Sequence, residues 1–334
     1  MKVITLNSLL SLLLIISTFF ACQKNNAFTG LISEPELHGD LDSLVRVDIE
    51  PVLWAELEKL EEEEIEIVID ENPPKEDPVL NSLFMGNSFF WPVARIFNEV
   101  ASEQVSGHRG WDVGAPNQQG VPRALWEDLE KRDSILSILR TGEVDLFGML
   151  SVNRSRPGYS DQDTATWDIP YYRNWIDAAL EANPNTVFFM GALWHPIDLG
   201  PSTPDFELFS YEEYYALSDF NIRQPGQALV ELLRELYPKN KFYSVWYGEL
   251  TCELKKLQLE GNLGGVTNWA GPKETSIHQD DIGHMGVITG TIAPLIWMHV
   301  IYGPESIPPT EYLDVDCDAI ARKIGNNILA DNPY

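Results

Sequence analysis

Two short segments, far apart in the chain, carry residue types that could work together as a nucleophile and its base. Gly86-Asn87-Ser88 directly follows the strand-like run Val79–Met85, and Asp281-Ile282-Gly283-His284 lies near the C-terminal end. A serine hydroxyl is a weak nucleophile at neutral pH, so it needs a base to take its proton and a third group to hold that base in one tautomer. Ser88, His284 and Asp281 fit these three roles.

The spacing of the second segment favours Asp281 as the partner of His284. Side chains at positions i and i+3 of a tight turn or helix start lie on one side of the backbone. Asp281 is therefore expected to accept from one imidazole nitrogen of His284 while the other nitrogen faces Ser88. Asp280 lies one residue further from His284 and is expected to point elsewhere.

The same C-terminal segment has an alternative interpretation as a metal site. His278, Asp280, Asp281 and His284 combine imidazole and carboxylate groups at short spacing, which suits zinc. Under that interpretation the serine segment would have no explanation, so the sequence favours no metal.

Both segments resemble conserved blocks of a known superfamily. Leu83-Phe84-Met85-Gly86-Asn87-Ser88-Phe89 is similar to the first block of the SGNH (GDSL-like) hydrolases, with Asn87 where many members carry Asp. Asp281–His284, followed by an apolar helix through Tyr302, is similar to the last block. The resemblance covers about residues 79–303. It implies a serine ester hydrolase that uses no metal or organic cofactor.

The resemblance also implies an oxyanion hole, in which a glycine and an asparagine join the N–H of Ser88. Such donors stabilise the negative charge that develops on the carbonyl oxygen. Gly114 and Gly120 are both candidates for the glycine. Asn153 follows a strand-like run and is the candidate asparagine, although the superfamily's Gly-x-Asn-Asp spelling is absent. The alternative is that Asn153 only caps its loop, since asparagine is common in turns.

Short apolar runs alternate with amphipathic stretches along this part of the chain. Such runs are typical of buried parallel strands, and the alternation predicts βαβ units. The expected fold is a three-layer α/β/α sandwich with a central parallel sheet, of the SGNH or flavodoxin-like kind. The expected strands are Val79–Met85, Val144–Leu150, Thr186–Met190 and Lys241–Tyr247, and the expected helices are Trp91–Glu103, Leu125–Leu139, Tyr171–Ala182 and Gln227–Leu236.

His195 lies just past the expected strand Thr186–Met190. The carboxyl ends of parallel strands form the edge of the sheet where open α/β folds bind ligands. His195 is therefore a candidate for substrate binding. A histidine that is merely hydrogen-bonded within its loop is the alternative.

The N-terminus predicts export and a lipid anchor. Lys2 precedes a run from Leu9 to Phe20 that is almost wholly apolar and too short to span a membrane, and Ala21-Cys22 follows it. Residues 1–22 thus resemble a bacterial lipoprotein signal peptide with Cys22 as the lipidated residue. A simple secreted protein with an odd cysteine is the alternative. Residues 23–78 are acidic and contain prolines, which predicts a tether, and residues 79–334 form the expected hydrolase domain.

Charge and cysteine content narrow the class of protein. The net charge of −28 argues against nucleic acid or an anionic lipid surface as a partner, since both are bound by clustered Lys and Arg. Contact with a membrane is therefore expected only through the N-terminal lipid. Cys252 and Cys317 form an even pair that could be bridged in an oxidising compartment.

Together these observations predict a lipid-anchored serine esterase of the bacterial cell envelope. Its expected substrates are O-acyl esters, acetyl esters among them, of carbohydrates or lipids. The alternative is a non-catalytic surface lipoprotein that binds a ligand or glycan on a degenerate SGNH fold.

Overall fold

The structure is a computed structural model that describes residues 81–151, 164–195 and 206–332 of the 334-residue chain. The signal segment with Cys22, the acidic segment 23–78 and Asn153 lie outside these residues.

A parallel five-stranded sheet lies at the centre of the described residues, as the sequence predicts. Its order is β2-β1-β3-β4-β5, and all four neighbouring pairs are parallel. The strands are β1 Asn81–Gly86, β2 Arg109–Gly114, β3 Leu146–Leu150, β4 Val187–Gly191 and β5 Phe242–Val245. Four of them overlap the expected strands. Strand β2 is not among the expected strands, because this edge strand is partly exposed and lacks an apolar run.

Helices connect the strands and cover both faces of the sheet. Their bounds are α1 Trp91–Gln104, α2 Pro122–Glu127, α3 Leu129–Leu139, α4 Thr164–Ala182, α5 Tyr211–Ser218, α6 Gln224–Leu236, α7 Glu249–Leu259, α8 Val287–Tyr302 and α9 Cys317–Ala330. A π-helical turn, Asp219–Arg223, joins α5 to α6. Two small two-stranded sheets are made by β6 Asn268–Ala270 with β7 Ser276–His278, and by β8 Glu311–Tyr312 with β9 Val315–Asp316.

The expected single helix Leu125–Leu139 is wrong, because the chain breaks at Asp128. The Asp128 carboxylate accepts hydrogen bonds from the backbone N–H groups of Glu130 and Lys131, at 3.1 Å each. This is the behaviour of an N-cap residue, which starts a new helix rather than continuing the old one.

Alternation along the strands divides the interior into two apolar layers. Phe84 and Phe189 project to one face, where they pack with Trp297 of α8, whereas Leu83 and Phe188 project to the other face. Helices α1, α8 and α9 cover the first face, and α2, α3, α4 and α6 cover the second. Burying a large apolar side chain stabilises the fold by roughly 1.5–3 kcal/mol, so these two layers hold the sandwich together.

The strand order reverses direction at β1, next to the place where the chemistry is expected. The chain leaves β1 for β2 on one side, and the next strand, β3, lies on the other side of β1. Open α/β sheets bind ligands at such a switch point, outside the carboxyl ends of the strands. Ser88 lies two residues beyond the carboxyl end of β1 and is therefore placed at this switch point.

Candidate active site

Ser88 lies on a tight turn that connects β1 to α1. The carbonyl of Asn87 accepts from the N–H groups of Phe90 and Trp91, at 3.0 and 2.8 Å, which begins the helix. The side-chain oxygen of Asn87 accepts from the N–H of Phe89 at 3.0 Å. Asparagine favours such turns because its short side chain can bond the backbone two residues on. The turn leaves Ser88 partly exposed at its tip.

Glycines at two strand ends make room for the residue that anchors this turn. A Cβ on Gly86 or on Gly191 would overlap the ring of Phe90. Phe90 is fully buried and packs with Phe189 and Tyr247. The turn that carries Ser88 is thus fixed to the sheet through an aromatic side chain that only glycine-ended strands can accommodate.

His284 links Ser88 to a carboxylate. The Nε2 atom of His284 is 3.0 Å from the Ser88 Oγ, and its Nδ1 is 2.6 Å from an oxygen of Asp280. A carboxylate only accepts, so Nδ1 carries the proton, and the Ser88 hydroxyl donates to the bare Nε2. This is the relay that makes a serine hydroxyl nucleophilic.

The carboxylate that holds His284 is Asp280, so the expected Asp281–His284 contact is corrected. Asp280 accepts from the backbone N–H groups of Gly283 and His284 with its Oδ1, at 3.0 Å each, which leaves Oδ2 facing the imidazole. The turn therefore brings positions i and i+4 together rather than i and i+3. Asp281 lies at the exposed side of the same turn.

The hydrogen bonds to Asp280 favour its ionised form. Partial burial by itself raises the pKa of the Asp280 carboxyl, but the bonds from the side chain and backbone of His284 and from Gly283 outweigh that effect. The pKa of Asp280 accordingly lies below its ordinary value. Asp280 thus stays negative at neutral pH and can stabilise the imidazolium that forms when His284 accepts a proton.

An aromatic side chain packs against His284. The ring of Phe89 stacks on the imidazole at a centroid distance of 4.9 Å and an interplanar angle of 18°. Trp194 in turn meets Phe89 edge to face at 5.8 Å. The Tyr247 hydroxyl donates to the Phe89 carbonyl at 3.0 Å, which fixes the backbone next to Ser88.

Both candidate glycines of the oxyanion hole lie close to the turn that carries Ser88. Gly114 pairs with Gly86 across the β1–β2 ladder, and a Cβ on it would overlap the ring of Trp91. Gly120 is buried directly against the backbone of Gly86 and Asn87, where a Cβ would overlap both residues. Gly120 therefore contacts the residue before Ser88. Asn153, the expected third donor, lies outside the described residues.

His195, the residue expected to bind substrate, is buried just past the end of β4. The side-chain amide of Asn221, in the π-helical turn, donates to its Nε2 at 3.3 Å. Only 2% of His195 is exposed. The structure thus gives His195 a hydrogen-bonded place within the fold.

The metal alternative finds no ligand set in the described residues. His284 has Ser88 and Asp280 at its two nitrogens, and His278 faces inward with its Nδ1 3.1 Å from the Gly283 carbonyl. No cluster of three or more His, Cys, Asp or Glu in the part of the chain that the structure describes has a geometry that could hold a metal ion. Burial lowers the pKa of His278 to about 4, which keeps this ring neutral.

Cys252 and Cys317 are both free thiols in the structure. Both lie in the apolar layer that contains α7, α8 and α9. Burial raises the pKa of both thiols, that of Cys317 to about 11, so neither is a reactive thiolate at neutral pH.

None of the helices in the described ranges is both long enough and apolar enough to span a membrane.

Comparisons with known proteins place the chain in no family. No family model matches it, and no curated protein matches it in sequence. Among solved structures, the periplasmic domain of a lipopolysaccharide acetyltransferase from Salmonella ser. Paratyphi A is similar at 10% identity and a TM-score of 0.32, over 53% of this chain and 69% of that one. A similarity of this size carries no information on activity. The resemblance to SGNH hydrolases rests on the two sequence blocks.

Proposed function

We propose that the protein is a serine ester hydrolase of the SGNH type. The observation that carries this proposal is the continuous relay from Ser88 Oγ through His284 to Asp280, with contacts of 3.0 and 2.6 Å. The relay is supported by its place at the switch point of the sheet, where ligands of open α/β folds bind.

In the first half of the reaction, Ser88 Oγ attacks the carbonyl carbon of the ester while His284 Nε2 takes the hydroxyl proton. The carbonyl oxygen becomes an oxyanion, which the N–H of Ser88, the N–H of Gly114 or Gly120 and the amide of Asn153 stabilise. Gly114 and Gly120 both lie close to the turn that carries Ser88, so both remain candidates for this role. The intermediate then collapses, the alcohol leaves with the proton from His284, and the acyl group stays on Ser88.

In the second half, water attacks the acyl carbon and His284 Nε2 takes its proton. The new oxyanion uses the same donors. As the intermediate collapses, Ser88 Oγ leaves and recovers the proton from His284, and the carboxylic acid is released. Asp280 remains ionised throughout and holds the Nδ1 proton of His284.

The proposed substrates are O-acyl esters of carbohydrates or lipids, acetyl esters among them. The reaction needs only the acyl donor and water, so no cofactor is part of the proposal. We further propose that the protein works in the bacterial cell envelope, lipid-anchored through Cys22, with residues 23–78 as a spacer. A non-catalytic binding protein on the same fold is less well supported, because it would have no use for a serine, a histidine and a carboxylate in one hydrogen-bonded line.

The test is the Ser88→Ala variant, measured on p-nitrophenyl acetate and on a panel of acetylated oligosaccharides. Removing the nucleophile of a serine triad typically lowers turnover by about 10⁶-fold, so no hydrolysis above background is expected. Thermal unfolding of the variant serves as the control for folding. A folded Ser88→Ala protein that hydrolyses these esters at a near-normal rate would show that the assignment is wrong.

A further inference from the structure

Trp194 holds the peptide bond that precedes His284. It lies three residues beyond β4 and is fully buried. Its indole N–H donates to the carbonyl oxygen of Gly283 at 2.7 Å. A neutral hydrogen bond of this length is well formed, and its acceptor belongs to the residue next to the general base.

The Gly283–His284 peptide plane is held at both of its ends. Its carbonyl accepts from Trp194 and from His278, whose Nδ1 is 3.1 Å away, and its N–H donates to Asp280 at 3.0 Å. Because the peptide unit is planar, turning the carbonyl also turns the N–H. The hydrogen bond from Trp194 therefore affects the position of Asp280, and the position of Asp280 in turn affects the imidazole of His284.

Trp194 also contacts the nucleophile's side of the site. Its ring meets Phe89 edge to face at 5.8 Å, and Phe89 stacks on His284 at 4.9 Å. Phe89 directly follows Ser88 in the chain. One side chain thus contacts the residue after the nucleophile and the residue before the base.

We propose that Trp194 is a positioning residue that keeps the His284 imidazole aligned between Asp280 and Ser88. This inference rests on the proposed hydrolase function. Proton transfer requires donor and acceptor within hydrogen-bond reach, and a misplacement of about 1 Å can lower the rate by roughly 10²-fold. Loss of the indole donor should therefore lower kcat and leave KM nearly unchanged, because the side chain of Trp194 is fully buried and acts through the position of His284.

The test compares Trp194→Phe with Trp297→Phe in the full-length protein. Trp297 is also fully buried in an aromatic cluster, but its indole nitrogen has no hydrogen-bond partner within the described ranges. Both changes remove the same atoms, and only Trp194→Phe removes a donor to the His284 turn. We expect kcat on p-nitrophenyl acetate to fall by about 10- to 100-fold for Trp194→Phe and by less than about threefold for Trp297→Phe.

A second measurement reports on His284 directly. The proton between His284 Nδ1 and Asp280 should give a far-downfield ¹H NMR signal in the wild type and in Trp297→Phe. In Trp194→Phe this signal should shift upfield or broaden, which a loss of packing elsewhere in the core would not cause. If Trp194→Phe does not fold, benzothienylalanine at position 194 replaces the indole N–H with sulfur at nearly the same shape.

Reaction of the wild type with a fluorophosphonate separates the two proposals. A wild type that does not react at Ser88 would contradict the hydrolase proposal itself. If the wild type reacts and the position-194 variant keeps its kcat and its downfield signal, the positioning role of Trp194 is wrong and the hydrolase proposal stands. A lower kcat together with a changed signal supports the positioning role.

Discussion

Replacing Asp280 with asparagine should nearly abolish turnover although the variant keeps almost the same shape. In the wild type, Oδ1 of Asp280 accepts from two backbone N–H groups and Oδ2 accepts from His284 Nδ1 at 2.6 Å. The amide oxygen of asparagine would keep the two backbone bonds, which places its NH₂ group against Nδ1. An NH₂ group donates, so the His284 proton is driven to Nε2.

The size of the loss follows from this change of tautomer. Nε2 faces Ser88 Oγ at 3.0 Å, and once protonated it cannot accept the hydroxyl proton. The same substitution in another serine triad lowers kcat by about 10⁴-fold, which corresponds to about 5.5 kcal/mol of activation free energy. We expect a loss of this order for Asp280→Asn. Asp281→Asn is the matched control, because Asp281 is the exposed neighbour in the same turn, and its kcat should change by less than about threefold.

The assay is steady-state hydrolysis of p-nitrophenyl acetate by both variants, with unfolding curves to show that each variant is folded. If Asp281→Asn were inactive and Asp280→Asn active, the carboxylate assignment would be refuted, and the i, i+3 spacing expected from the sequence would be right.

Three further changes test other parts of the site and its placement. Gly120→Ala should lower kcat or unfold the protein, since its Cβ would overlap the backbone of Asn87. A variant that is normally stable and hydrolyses p-nitrophenyl acetate at the wild-type rate would contradict that packing. His278 has a pKa of about 4 in the fold and an ordinary pKa of about 6.5 in the unfolded chain, so acid favours the unfolded state. Between pH 7 and pH 4 the free energy of unfolding, measured with denaturant, should fall by about 3 kcal/mol more for the wild type than for His278→Asn. Equal losses would count against a neutral, buried ring. Expressed in a bacterium, the wild type should incorporate labelled fatty acid and enter the detergent phase, whereas Cys22→Ser should do neither. Incorporation by Cys22→Ser would place the lipid on another residue.

The sequence predicted the sheet well because buried parallel strands are short apolar runs. Val144–Leu150 and Thr186–Met190 overlap β3 and β4 closely, and the three-layer architecture is confirmed. Edge strand β2 was not predicted, because a partly exposed strand can carry Arg109, Gly110 and Asp112 in place of apolar residues.

Within the site, the types of the participating residues were easier to predict than which side chains contact each other. The structure brings Ser88 and His284 together, since a serine after the first strand and a late histidine both reach the carboxyl edge of the sheet. The choice between Asp280 and Asp281 depends on which carboxylate caps the turn, and two adjacent aspartates look alike in sequence. The contact of Trp194 with Gly283 joins residues from separate loops, so no local pattern could have revealed it.

The central claim, that Ser88 is an activated nucleophile, is tested most directly by intact mass spectrometry after reaction with a fluorophosphonate. We expect the purified wild type to gain one phosphonyl group, located at Ser88 by peptide mapping, and Ser88→Ala to gain none. The phosphonyl group forms a bond to Ser88 Oγ with loss of fluoride, which an unactivated serine does not do at a useful rate. A folded wild type that stays unmodified, or that is modified at another residue, would contradict the claim.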